Sequence, residues 1–221
     1  DKTSISVIDK GYAIPHIANK VAAGHLNEDL TGWLVHIGSL DRERVSRELL
    51  RAIIHVRQNQ PKTFRGLLLV GVVCPEFKSM VKSMGAEPHV RFYGNVSQEE
   101  ASSIAVSSPA LLVIEANMPM SPFLPSKFAD YACTQRPMIA ITPIISPIRD
   151  YLTKYGGGVP VCHDADEIGA ALLKIFGDNT NQATICHSAG LCGEFTSQNV
   201  GGRYLNMLEG VLDKKNQPTA K

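Results

Sequence analysis

The sequence has no surplus of either charge: 22 Lys plus Arg stand against 21 Asp plus Glu, a formal net charge of +1. Without a basic excess there is no general attraction for phosphate backbones or anionic lipid, which argues against a nucleic-acid partner. An even set of cysteines is also missing. The five thiols, Cys74, Cys133, Cys162, Cys186 and Cys192, are widely spaced, the pattern of reduced cysteines in a cytoplasmic protein rather than a secreted disulfide framework. No run approaches the roughly 18 apolar residues of a spanning helix, and Asp1-Lys2-Thr3-Ser4 does not open a signal peptide. No Gly-x-Gly-x-x-Gly follows the first apolar run and no Gly-x-x-x-x-Gly-Lys-Ser/Thr occurs, which argues against an ordinary dehydrogenase or P-loop enzyme. A Gly-x-Ser-x-Gly elbow is absent, and none of the seven histidines forms a His-Glu-x-x-His pair. Cys162-His163, Cys186-His187 and Cys192 could be drawn as a zinc site, but their spacing fits none of the common ligand patterns, and no metal is expected.

What is present is a core. The 221 residues, 44% apolar and 19% charged, suffice for one fairly large domain. Short apolar runs rich in β-branched residues read as strands: Ser6–Ile8, Trp33–Ile37, Leu67–Val73, Val90–Tyr93, Ala110–Ile114, Met138–Ile141 and Val159–Val161. Between them, apolar residues recur at helical spacing, as in Leu49, Leu50, Ile53 and Ile54, or Phe77, Met80, Val81 and Met84. Ser97 with Glu100 and Asp164 with Glu167 have capping-box spacing, and Ser146 precedes a first-turn proline. Strand-to-strand intervals of about 20–30 residues fit βαβ crossovers, and runs apolar on both faces fit a parallel sheet covered on both sides. The fold class is therefore α/β, a doubly wound sheet of about six parallel strands, as one domain over 1–213 with a polar, disordered tail at 214–221. In such sheets ligands bind at the carboxyl ends of the strands.

The stretch Phe123-Leu124-Pro125-Ser126-Lys127-Phe128-Ala129-Asp130-Tyr131 reads as a Pro-rich loop and then a helix beginning near Ser126. A helix N-terminus offers unpaired N–H groups and positive potential, and Lys127 adds a full charge, so an anionic phosphate could dock there. Asp130 lies one turn on, near enough to bond the hydroxyls of a sugar attached to that phosphate. The same residues also read as a helix cap with a local Lys127–Asp130 pair, and physics alone leaves both readings open.

The block from Leu124-Pro125-Ser126-Lys127 through Asp130-Tyr131 to Gln135-Arg136-Pro137 resembles the donor-site signature of GT-B glycosyltransferases of group 1, or family 4. Trp33-Leu34-Val35-His36-Ile37-Gly38-Ser39-Leu40 resembles the family's glycine-turn entry, and Arg44 matches the basic residue that meets the donor phosphates. Leu67–Gly71 and Val90–Ser97 resemble the next two strands, and Val7–Tyr12 the segment that begins the C-terminal half. The resemblance implies that Gly38 and Ser39 let phosphate approach, that Arg44, Ser126 and Lys127 hold the diphosphate, and that Asp130 bonds ribose. Backbone at Asn95 and Val96 would receive the base. A nucleoside-diphosphate sugar would be the donor substrate, with no cofactor and no metal, and the sugar would pass to a glycan acceptor with retention.

The pattern is also departed from. The family's two glutamates eight residues apart would fall on Pro122 and Asp130, so the sugar-facing carboxylate is missing. Gln135 stands where a helix-ending glycine is usual, and Ser39 replaces a frequent basic residue. Only the second half of a GT-B enzyme is resembled. Together with the opening Asp1, this reads as a C-terminal donor domain cut from a longer enzyme, in the cytoplasm and in bacterial-type polysaccharide or glycoconjugate synthesis. The acceptor, and any peripheral contact with the membrane, would then belong to the other half. Tyr204, Leu205, Met207, Leu208, Val211 and Leu212 would cross back towards that half. Catalytic groups are not assigned. The alternatives are a nucleotide-sugar 2-epimerase of the same fold and a non-catalytic nucleotide-binding module.

Overall fold

The computed structural model describes residues 29–59, 63–177 and 189–216. Six strands form one sheet: β1 (Trp33–Ile37), β2 (Gly66–Val70), β3 (Val90–Gly94), β4 (Ala110–Ile114), β5 (Met138–Ile141) and β6 (Gly158–Val161). All neighbouring pairs are parallel, in the order β3-β2-β1-β4-β5-β6. The helices are α1 (Arg47–Asn59), α2 (Pro75–Ser83), α3 (Gln98–Ser107), α4 (Ser126–Thr134), α5 (Pro147–Tyr155), α6 (Ala165–Phe176), α7 (Ala189–Glu194) and α8 (Ser197–Asn216).

Alternation along the buried strands assigns the two faces. Leu67 and Leu69 of β2 join Leu49, Leu50 and Ile53 of α1, Phe77 of α2 and Leu172 of α6 in one core. Leu68 and Val70 point the other way, into a second core with Ile104 of α3, Phe128 of α4, Leu152 of α5 and Phe195. Phe128 meets the Phe195 ring edge-on at 5.7 Å between centroids, a favoured aromatic geometry. Both faces of β2, β4 and β5 are buried throughout, which is why those strands read as unbroken apolar runs.

The expected bounds of β1, β4 and β5 are those observed. The run Leu67–Val73 instead ends as a strand at Val70, because Gly71 turns the chain at φ +120°. Val73 makes only an isolated bridge to Leu40. All three expected caps form, Ser97 accepting from Glu100 N, Ser146 from Ile148 N and Asp164 from Asp166 N and Glu167 N. The reciprocal arms do not: Glu100 accepts from Tyr93 Oη and Glu167 from Cys162 N. Gln135 takes the left-handed position ending α4, at φ 55°. Helix α8 runs on through Asn216, so residues 214–216 of the expected disordered tail are helical. The expected strand Ser6–Ile8, the Val7–Tyr12 segment, Cys186, His187 and the last five residues lie outside the described residues. Tyr204, Leu205, Leu208, Val211 and Leu212 on α8 are exposed. Among the described residues no helix is long and apolar enough to cross a membrane.

Candidate functional site

The strand order reverses between β1 and β4, because the chain lays down β1, β2 and β3 in one direction and then returns to the other side of β1. At such a switch point the loops diverge and leave a crevice. The divergence is visible in the register. β1 pairs with β2 along all five residues, Trp33 to Ile37, but with β4 only at Leu34–Ala110 and Val35–Leu111. Beyond those pairs, backbone groups on the facing edges need other partners.

Two side chains supply them. The buried ring of His36 places Nδ1 3.0 Å from Leu112 O. A carbonyl only accepts, so the proton is on Nδ1 and Nε2 carries a lone pair. On the other edge, Tyr131 of α4 accepts from Ile37 N at 2.8 Å and donates to Ile37 O at 3.2 Å. One phenol thus replaces the strand that has turned away and anchors α4 over the crevice. Burial holds the Tyr131 hydroxyl well above its ordinary pKa, so it remains a donor.

Pinning α4 through Tyr131 brings Lys127, one turn earlier, over the end of β1. Its Nζ lies 3.4 Å from His36 Nε2. Gly38 is needed at this point: its φ is +117°, and a Cβ there would stand 2.8 Å from Lys127 Nζ. Gly71, on the next strand end, is as constrained, since its Cβ would meet Gly38 O at 2.7 Å. Arg44 enters from a single 3-10 turn, Arg42–Arg44. Its Nη1 donates to Ser39 O at 3.4 Å and its Nη2 is 3.6 Å from Asp41 Oδ2.

The electrostatics follow from this crowding. Burial, reinforced by the Lys127 charge, pushes His36 down to about 3, so the ring is neutral at pH 7. Burial and then the Arg44 charge bring Lys127 down to about 8, with Asp41 opposing. Among the described residues no ion pair neutralises Lys127. The local Lys127–Asp130 pair is not what forms, because the ammonium rests on His36 instead. Among the described residues no side chain caps the first turn of α4, so its N-terminal N–H groups add positive potential next to the ammonium.

Gly38, Ser39, Arg44 and Lys127 are therefore gathered at the end of β1. Ser126 is the first residue of α4 and is exposed, and Asp130 is half-buried on the same helix. Asn95 and Val96 follow β3, two strands away along the same carboxyl edge, Asn95 exposed and Val96 partly buried against the second core. Pro122 is exposed. The carboxylate that the structure does bring to the end of β4 is Glu115, which is buried. Its Oε1 accepts from Ser121 Oγ and its Oε2 from Ser146 Oγ, each at 2.5 Å, tying the loop after β4 to the start of α5. His163 adds a contact from its Nε2 to Glu115 O at 3.0 Å. Sequence reasoning missed His36, Tyr131 and Glu115. A faint signal existed for His36, the single polar residue in an otherwise apolar strand, and for Glu115, the first polar residue after one; Tyr131 had none. Among the described residues no group of three or more His, Cys, Asp or Glu could hold a metal ion.

No family model and no curated protein matches the chain. Solved structures do. HepE from Anabaena, in complex with UDP and glucose, superposes with a TM-score of 0.67 at 16% identity, over 92% of this chain and 56% of its own. Sucrose-phosphate synthase from Thermosynechococcus elongatus gives 0.68 at 15% identity, over 95% of this chain and 53% of its own. The pneumococcal O-GlcNAc transferase GtfA, in complex with UDP and GlcNAc, gives 0.62 at 15% identity, over 93% and 38%. The chain thus spans from 38% to 56% of the length of these three structures. The parallel six-stranded order and these superpositions agree: the chain has the Rossmann-like α/β fold of one domain of the GT-B glycosyltransferases.

Proposed function

We propose that this chain is the nucleotide-sugar donor domain of a glycosyltransferase, with the diphosphate held in the crevice between β1 and β4. The observation that carries the reading is the Lys127 ammonium. It is half-buried, at a helix N-terminus and beside a glycine whose missing Cβ makes room for it, and among the described residues it has no ion-pair partner and the helix start no side-chain cap. Structures of the same fold, HepE and GtfA, have UDP bound, and the topological switch point is where such sheets bind ligands.

In this reading Lys127, Arg44 and the first N–H groups of α4 neutralise the charge that grows on the leaving diphosphate as the glycosidic bond breaks. Charge stabilisation aimed at the transition state lowers the barrier. These cations make a divalent metal dispensable. Gly38 and Ser39 allow close approach, Asp130 bonds ribose, and backbone at Asn95 and Val96 receives the base. Retention, a glycan acceptor bound by a second domain and a cytoplasmic role in polysaccharide or glycoconjugate synthesis belong to the same proposal.

Titration calorimetry with UDP and GDP, each with and without chelator, tests it. Binding of either diphosphate that survives chelation is the expected result. A strict requirement for divalent metal, or binding of neither, would overturn it.

A further inference from the structure

The β1 residue under the ammonium is not a phosphate ligand in the reading above, yet the geometry gives it a defined task. We propose that His36 is a positioning residue for Lys127. Its neutral ring, oriented by the Nδ1–H bond to Leu112 O, offers Nε2 as the acceptor that fixes the ammonium over Gly38. The inference rests on the donor-site reading for its consequence, the phosphate contact, but not for the contact itself.

Three features support it. The ring is fully buried, so its orientation is set by the protein and not by water. Leu112 O accepts at Nδ1 and the Lys127 ammonium stands at Nε2, with the Ser39 backbone also in hydrogen-bonding contact with the ring, which leaves neither ring nitrogen unsatisfied. A lysine side chain has high rotamer freedom, and an acceptor at its tip reduces what must be ordered when an anion arrives. The charged groups facing the ammonium, Arg44 and Asp41, act from the loop after β1, and neither occupies the position under it that His36 holds.

Two substitutions separate orientation from support. His36→Asn keeps a short amide where Nδ1 stands, able to donate to Leu112 O, but does not reach Lys127. His36→Gln places its carbonyl near the Nε2 position and preserves the lysine contact while giving up the bond to Leu112. Calorimetry with UDP and with uridine reads the first consequence. The Asn variant is expected to weaken UDP roughly three- to tenfold, the scale of one lost hydrogen bond, with uridine unchanged, and the Gln variant to retain most of the UDP affinity. Nitrogen-detected exchange of the Lys127 ammonium protons, in protein without ligand, reads the contact directly. Faster exchange in the Asn variant, restored in the Gln variant, is expected. Equal exchange in all three proteins would overturn the assignment whether or not UDP binds, whereas absence of UDP binding in the unsubstituted protein would refute only the donor-site reading.

Discussion

The hydroxyl of Tyr131 serves both backbone groups of Ile37, accepting from its N–H at 2.8 Å and donating to its carbonyl at 3.2 Å. A side chain here does what a neighbouring strand does elsewhere in the sheet. Tyr131→Phe should therefore leave a buried donor and acceptor without a partner, a loss of about 1–3 kcal/mol of fold stability. Urea unfolding of the two proteins measures it. A change below about 0.5 kcal/mol would mean that Ile37 does not depend on the phenol.

Lys127→Ala should remove a charge-assisted phosphate contact worth roughly 1.5–3 kcal/mol, weakening UDP by about tenfold or more and uridine hardly at all. The pH dependence has a sign. Because burial and Arg44 hold Lys127 near 8, raising the pH through that value should discharge the ammonium and weaken UDP. Lys127→Arg, which stays charged, should abolish the decline. An identical decline in the Arg variant would place the titration on another group.

Asp130→Asn should weaken a ribose nucleotide more than its 2′,3′-dideoxy analogue, which has no hydroxyls left to lose. Equal losses for the two ligands in calorimetry would remove Asp130 from the ribose site.

Acid should destabilise the fold through His36. In the unfolded chain the ring takes up a proton near 6.5, while in the fold burial holds it near 3. Between those values the unfolded state binds the extra proton, so stability falls as pH is lowered, by at most about 1.4 kcal/mol per pH unit. His163 and His89 are shifted the same way by burial and add to the slope. Unfolding free energies measured between about pH 6.5 and 4 should show a shallower fall in His36→Asn. Parallel curves would show that the ring is not held neutral.

The centre of the sheet was legible in the sequence because β2, β4 and β5 are buried on both faces. Ala110–Ile114 and Met138–Ile141 are uninterrupted apolar runs, and nothing local competes with reading them as strands. Where a backbone turn intervenes, the pattern overruns, as at Gly71, whose neighbours Val72 and Val73 are apolar without extending β2. Lys127 stood out in the sequence by its place at the start of a helix, whereas Arg44 and Gly38 were singled out by the family resemblance; the structure gathers the three at the end of β1. His36 and Tyr131 did not stand out, since each is defined by a backbone group on a distant segment that becomes unpaired only when β1 and β4 diverge. Glu115 shows locally only as the first polar residue after β4; its role depends on Ser121, in the next loop, and Ser146, which precedes a later helix.

The separations involved bear on the order in which the molecule is built. The contacts that frame the crevice join residues 76, 91 and 94 positions apart in the chain. Long-range pairing must overcome the entropy of closing the intervening loop, and β4 has to dock beside β1 before any of these contacts exists. The three strands β3-β2-β1 are consecutive in the chain and closed by shorter connections; the loop between β1 and the next helix carries Gly38 and Arg44, but the cation and phenol of α4 come later. A nucleotide that recognises the finished crevice has nothing to hold on the way there. Its stabilisation should thus appear in the escape from the native state, as slower unfolding, and leave the rate of folding nearly untouched.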